Sequence, residues 1–162
     1  MRKVTATHSY TIDVDSVFSF FADEERVTAK HETIGARRYR LKSAKETGST
    51  LSIDSRREVP VGQEVPSALR RFTGEWNKVR QRETWTLNDD GSRHCQLRVD
   101  LDSLPVKVQG EMRITPTENG CVNNVEIEVS SSLPLVGKLA AEFVGKSIEL
   151  QMEDEYEYIK GA

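Results

Sequence analysis

The sequence predicts an α+β domain in which a curved antiparallel sheet of six to seven strands wraps around one long C-terminal helix, with two short helices after the first strand. Three observations carry this. Short stretches of strict two-residue alternation recur between turn signals, as half-buried strands do. Between the first of these and the rest lie two brief helical patterns. The final stretch, Ser132 to Ala162, switches to the 3.6-residue period of an amphipathic helix.

With 162 residues the chain has the length of one domain, enough to bury roughly 70% of its unfolded surface around a single core. Charged residues make up 30% of the sequence but nearly cancel, to a formal net charge of −3, and no block of one sign occurs. That excludes a basic nucleic-acid tail and a polybasic membrane anchor, so no nucleic-acid partner is expected. The opening MRKVTATHSYTIDV has no apolar run of signal-peptide length, and a run of roughly 18 apolar residues occurs nowhere, which predicts a cytoplasmic protein. Cys95 and Cys121 form no CxxC pair and stand near no histidine at zinc-ligand spacing. In a reducing compartment they are read as free thiols rather than a disulfide.

From Lys3 to Tyr10, the residues Val4, Ala6, His8 and Tyr10 fall on one face, making a strand with His8 and Tyr10 inward. Asp13 then offers an N-cap, Asp15 adds negative charge to the first turn, and Val14, Val17, Phe18 and Phe21 recur at helical spacing. A second helix begins near Asp23, carries Val27, His31 and Ile34 along one side, and stops at Gly35, which suits a left-handed C-terminal cap. Arg37, Tyr39 and Leu41 alternate with Arg38, Arg40 and Lys42. After a turn at Glu46-Thr47-Gly48, Leu51, Ile53, Ser55 and Arg57 alternate with Ser52, Asp54 and Arg56, completing a hairpin.

The segment 59–77 breaks the alternation with Pro60, Gly62, Pro66 and Gly74 while keeping Val65, Leu69, Phe72 and Trp76 as apolar anchors. A connection of that length is a lid or a packed excursion. Strands resume with Val79, Gln81, Glu83, Trp85 and Leu87 on one face, and a hairpin turn follows at Asn88-Asp89-Asp90-Gly91. Cys95, Leu97, Val99 and Leu101 face inward on the next strand, then Val106, Val108, Gly110, Met112 and Ile114 after a loop at Pro105. Asn119-Gly120 turns into Val125, Ile127 and Val129. Each of these strands joins its neighbour without a crossover helix, so the sheet is antiparallel with one wet and one dry face.

The closing helix covers the dry face, with Pro134 tolerated in its first turn. At about 100° per residue, Lys138, Glu142, Lys146, Glu149, Glu153, Glu157 and Lys160 gather on one side. Val136, Leu139, Ala140, Phe143 and Leu150, flanked by Val144 and Ile148, gather on the other. Ser147, Gln151 and Asp154 fall on or beside this apolar side, where polar groups need partners, water or a ligand. Gly145 costs about 1 kcal/mol relative to alanine and marks a hinge, a close contact or a weak point.

This order of elements, with DVDSVFSFFADEE after the opening strand and SSLPLVGKLAAEFVGKSIELQMEDEYEYI at the end, resembles the helix-grip fold of the START-like (SRPBCC) superfamily. That superfamily holds polyketide cyclases, plant pollen-allergen proteins and ubiquinone-binding carriers. VPSALRRFTGEWNKVRQRETW is similar to an uncharacterised bacterial branch. The resemblance spans essentially the whole chain, residues 1–162. It implies a single domain with a cavity between sheet and last helix that accepts an apolar molecule, and no particular reaction, since the superfamily has no universal catalytic motif.

Glu83 and Gln81 share a strand face with Trp85, and Arg57 lies on the inward face of the preceding strand. They form either a polar patch that orients a carboxylate or carbonyl, with Glu83 as general base, or an ion pair at the cavity mouth. His8 and Tyr10 point toward the second half of the closing helix, as an acid/base pair, a ligand hydrogen-bond donor, or core residues bonded to Asp154 or backbone. His31 and His94 stand without companions and are read as structural. No two of the histidines and cysteines stand at ligand spacing, so no metal or other cofactor is expected. Nucleophile elbow, P-loop and dinucleotide fingerprints do not occur in the sequence. The basic groups Arg37, Arg38 and Arg40 are read as solvated surface. Arg70 and Arg71, beside Leu69 and Phe72, have the make-up of a mouth that touches a membrane transiently.

These readings point to binding or transport of a hydrophobic small molecule, a lipid, isoprenoid or polyketide-like compound. Its cavity is expected to be lined by Tyr10, Tyr39, Arg57, Glu83, Trp85, Leu97, Val99, Met112, Phe143 and Ser147. Two alternatives use the same fold: a cyclase- or hydrolase-type enzyme acting through Glu83, Arg57 or His8, and a protein-interaction module whose cavity is packed shut. The ligand is placed under the first half of the helix, Val136 to Ile148, and a polar clasp of Gln151 and Asp154 with His8 and Tyr10 under the second.

Overall fold

The computed structural model describes residues 1–61 and 64–162. Its elements are β1 (Arg2–Tyr10), α1 (Val14–Ala22), α2 (Glu24–Thr33), β2 (Arg37–Thr47), β3 (Thr50–Pro60), a 3-10 helix (Ser67–Phe72), β4 (Trp76–Leu87), β5 (Arg93–Leu101), β6 (Lys107–Thr117), β7 (Gly120–Ser130) and α3 (Gly137–Lys160). The strands form one antiparallel sheet in the order β1-β7-β6-β5-β4-β3-β2. This is the helix-grip arrangement. From β2 to β7 each strand lies beside its predecessor, and α1 and α2 carry the chain from one edge of the sheet to the other.

The local signals act where the sequence puts them. Asp13 Oδ1 accepts the Ser16 N–H at 2.8 Å, and Asp23 Oδ1 accepts the Arg26 N–H at 3.2 Å, capping α1 and α2. Gly35 adopts φ 111°, and the N–H groups of Gly35 and Ala36 donate to the carbonyls of Glu32 and His31, which is the Schellman closure of α2. In the 59–77 connection, Gly62 lies outside the described residues. Pro60 ends β3 opposite Trp76, which opens β4, and the 3-10 helix between them buries Leu69, which packs that helix onto the core. At Gly110 an added Cβ would stand 2.4 Å from the Glu126 carbonyl oxygen, so only glycine permits this approach of β6 to β7.

The closing helix differs from expectation in three respects. It starts at Gly137: Pro134 precedes it in a turn where Leu135 takes φ 66°, and Val136 occupies the cap. Its buried residues are Gly137, Ala140, Ala141, Phe143, Val144, Gly145 and Ile159, whereas Leu139 and Leu150 are 40% and 54% exposed. The helix therefore seats its small residues against β1 and β7, turned by roughly 80° from the orientation its leucines suggested. Finally, Glu142 and Glu149 are not simply solvated, because Arg2 of β1 forks between them. The Arg2 stem crosses Gly145, whose added Cβ would meet Arg2 Cγ at 2.4 Å, so Gly145 is a close contact.

Nor does α3 cover the dry face alone. Phe18 and Phe21 of α1 pack on Trp85 with ring centroids 5.0 and 5.7 Å away, and His31 of α2 stacks on Tyr39 at 5.3 Å. Trp85 of β4 thus lies under α1, and Tyr39 of β2 under α2. His31 has Tyr39 as companion, and His94, on the wet face, has Glu111 at 2.9 Å. Cys95 and Cys121 are free and buried, and burial raises both thiols, Cys121 to about 11.

Candidate functional site

Between α3 and the sheet, where the two helical covers meet, a cavity of about 130 Å³ remains. A void of roughly 150 Å³ admits benzene, so this one holds a single small ring or a few waters. Tyr10, Arg57, Leu97, Val99, Met112, Phe143 and Ser147 line it, seven of the ten residues expected there. Tyr39, Glu83 and Trp85 do not: Tyr39 stacks on His31 of α2, Trp85 packs on Phe18 and Phe21 of α1 and Glu83 bonds the Trp85 indole, while the other ends of β3 and β4 reach the cavity through Arg57, Val79 and Gln81.

The strand register separates Arg57 from Glu83. Arg57 stands opposite Val79 and Glu83 opposite Ile53, four residues or about 13 Å apart along the ladder. Arg57, 9% exposed, donates Nη1 to Gln81 Oε1 at 2.9 Å, while its buried Nε has no hydrogen-bond partner among the described residues. Glu83 accepts the Trp85 Nε1–H at 3.0 Å. Burial pushes the Glu83 carboxyl up, against the pull of Lys30, the Trp85 bond and Arg57, and lowers Arg57 against the pull of Glu155 and Glu83. The expected ion pair is absent among the described residues, and Glu83 does not border the cavity.

A second ion pair, which sequence reasoning missed, joins the two covers. Lys30, only 1% exposed, pairs with Glu155 of α3 and lies 4.1 Å from the centroid of the Phe21 ring. The signal was there: Lys30 sits between Val27, His31 and Ile34 on the inner side of α2, and Glu155 follows Ser147 and Gln151 at four-residue steps. The expected clasp residue Asp154 is displaced by the same rotation of α3 that exposes Leu139 and Leu150. Asp154 is exposed and borders a surface hollow with His31 and Pro60. His8 stacks on Tyr156, centroids 4.3 Å apart, Tyr10 meets Tyr156 edge-on, and Tyr156 Oη donates to the Ser9 carbonyl at 3.1 Å. Desolvation lowers His8 and raises Tyr10, keeping both neutral at pH 7. Asn123 of β7, also lining the cavity and also missed, contacts Met112 Sδ at 3.8 Å with Nδ2 while its Oδ1 has no partner among the described residues.

The site is therefore a mainly apolar chamber whose lining also includes Arg57, Gln81, Asn123, Gln151 and Glu155. Among the described residues no three His, Cys, Asp or Glu side chains are grouped to hold a metal ion. A model of the DUF2505 family, described as a protein of unknown function, matches residues 5–161. The chain belongs to this family. Curated proteins give no match. Solved structures show what the DUF2505 chain shares with others. A Thermus thermophilus protein superposes with a TM-score of 0.63 at 13% identity, over 98% of this chain and 97% of that one. A STAR-related lipid transfer protein from Xanthomonas axonopodis gives 0.59 at 15% identity, over 95% and 86%, and a START superfamily protein from Mycobacterium smegmatis gives 0.58 at 14%, over 98% and 97%. At these identities the likeness is one of fold, and the fold is that of START superfamily structures. Among the described residues no helix is long and apolar enough to cross a membrane.

Proposed function

We propose that this DUF2505 chain binds a small hydrophobic molecule in the cavity between the sheet and α3, with Tyr10, Arg57, Leu97, Val99, Met112, Phe143 and Ser147 as its contacts. The observation that carries this is a chamber of about 130 Å³ between the sheet and α3 whose walls are mainly apolar. The shared START fold supports the reading, as does the name of the Xanthomonas neighbour, a lipid transfer protein. Tyr39, Glu83 and Trp85 act as support behind the chamber. Native mass spectrometry of gently purified protein is expected to show a bound apolar mass, and Phe143→Trp, which fills the chamber, to abolish it. Protein that is purified empty and takes up no small apolar compound, benzene included, would refute the reading.

Exchange with a membrane would run through the 59–77 connection. There Arg70 and Arg71 are exposed, and the Arg71 guanidinium lies 4.7 Å over the Phe72 ring. Sedimentation with anionic vesicles, lost on Arg70→Ala with Arg71→Ala, is the expected result; equal sedimentation with neutral vesicles would argue against it.

A further inference from the structure

Arg57 is a buried cation whose hydrogen-bonding capacity the protein does not use up. Each charged group that acts on it is engaged elsewhere. Glu155 is taken by Lys30, Glu83 by the indole of Trp85, and the only side chain bonded to the guanidinium among the described residues is the neutral amide of Gln81. His31, close enough for Arg57 to lower its pKa, is held neutral by burial. A buried charge without a direct counter-ion is costly, so such a site gains most from a partner that brings the opposite charge.

The geometry narrows that partner. A guanidinium receives a planar carboxylate through two parallel N–H bonds. Gln81, by holding Nη1, fixes the plane of the group and acts as a positioning residue. The chamber beside it accommodates about one ring and is walled by Leu97, Val99, Met112 and Phe143. A compact body matches that volume, and a ring alone leaves the guanidinium without a counter-ion.

We infer that the ligand is a compact organic acid, its ring or short branched body in the chamber and its carboxylate on Arg57. This rests on the chamber being a binding site, as proposed above, and the two are separable by experiment. Chemical-shift titrations of the full chain with benzene, benzamide and benzoate use one ring with no polar group, a neutral one and a carboxylate. Benzoate is expected to bind at least tenfold more tightly than benzamide. Arg57→Gln is expected to erase that preference while keeping benzene, and Gln81→Ala to weaken benzoate several-fold without affecting benzamide. Should Arg57→Gln not fold, the benzoate-to-benzamide ratio in the unaltered protein and in Arg57→Lys decides the matter. Benzamide binding as well as benzoate, or a preference that survives Arg57→Gln, overturns the acid assignment while benzene binding still supports the chamber. Failure of all three ligands to bind overturns both.

Discussion

Glu155 provides the sharpest test of how the covers are held together. Its carboxylate is the counter-ion of Lys30, which is buried to 1% exposure, whereas Glu155 itself keeps 22% of its side chain in contact with solvent. The two halves of the pair are thus unequal. Glu155→Ala leaves the ammonium with the Phe21 ring beside it and the Glu83 carboxyl, bonded to Trp85, as the nearby acid, and breaking a buried pair in this way costs about 3–5 kcal/mol. Lys30→Met instead leaves Glu155 able to turn to water, with an expected loss below about 2 kcal/mol, and Lys30→Met with Glu155→Leu should approach the unaltered protein. Urea unfolding followed by fluorescence of the buried Trp85, with the m-value checked for constancy, measures all three. A deficit no larger than that of Lys30→Met would refute this account.

The buried titratable groups set the pH dependence in opposite senses. His31, driven well below its ordinary value chiefly by burial, binds its proton less readily folded than unfolded, so acidification below about pH 6.5 removes up to about 1.4 kcal/mol per unit, and His31→Phe should flatten that limb in urea midpoints between pH 7.5 and pH 5. Glu83, raised by burial, holds its proton more tightly when folded, so stability falls as pH rises from about 4.3 through its folded pKa; Glu83→Gln should remove that fall and be more stable than the unaltered chain at pH 7. Gly145→Ala, despite a helix-propensity gain of about 1 kcal/mol, should not stabilise the protein while Arg2 crosses it, but should show the gain in an Arg2→Ala background by thermal melting. Leu135 is fully exposed at φ 66°, a conformation costing about 1–2 kcal/mol outside glycine, so Leu135→Gly should raise the melting temperature.

The sheet was legible because each strand carries its own evidence. Alternation names the inward residues one strand at a time, and the inward set from Val4 to Val129 holds in the structure with scarcely a change. Caps were legible for the same reason, Asp13 and Gly35 acting on atoms within a few residues. What could not be read locally was the rotation of α3. Hydrophobicity favours a seat on Leu139 and Leu150, but Gly137, Ala140, Ala141 and Gly145 let the backbone come closer to β1 and β7, and Arg2 holds that orientation from across the sheet. Lys30 and Glu155 escaped notice because a charged residue on an inner helix face is recognised only when its partner, here 125 residues away, is brought to it. Tyr39, Glu83 and Trp85 were expected in the chamber for a similar reason, since a sheet face does not reveal which helix covers which strands.

Two covers meeting over one sheet explain why the chamber exists where it does. α1 packs aromatic rings onto Trp85, α2 stacks His31 on Tyr39, and α3 packs glycine and alanine onto β1 and β7, so each helix fits its own patch of the sheet closely and none fits the patch between. Arg57 and Asn123 line that seam, each with one polar atom already withdrawn from solvent and without a partner among the described residues. A molecule in the chamber therefore gains most by bringing apolar bulk for the walls together with hydrogen-bonding groups for these two side chains.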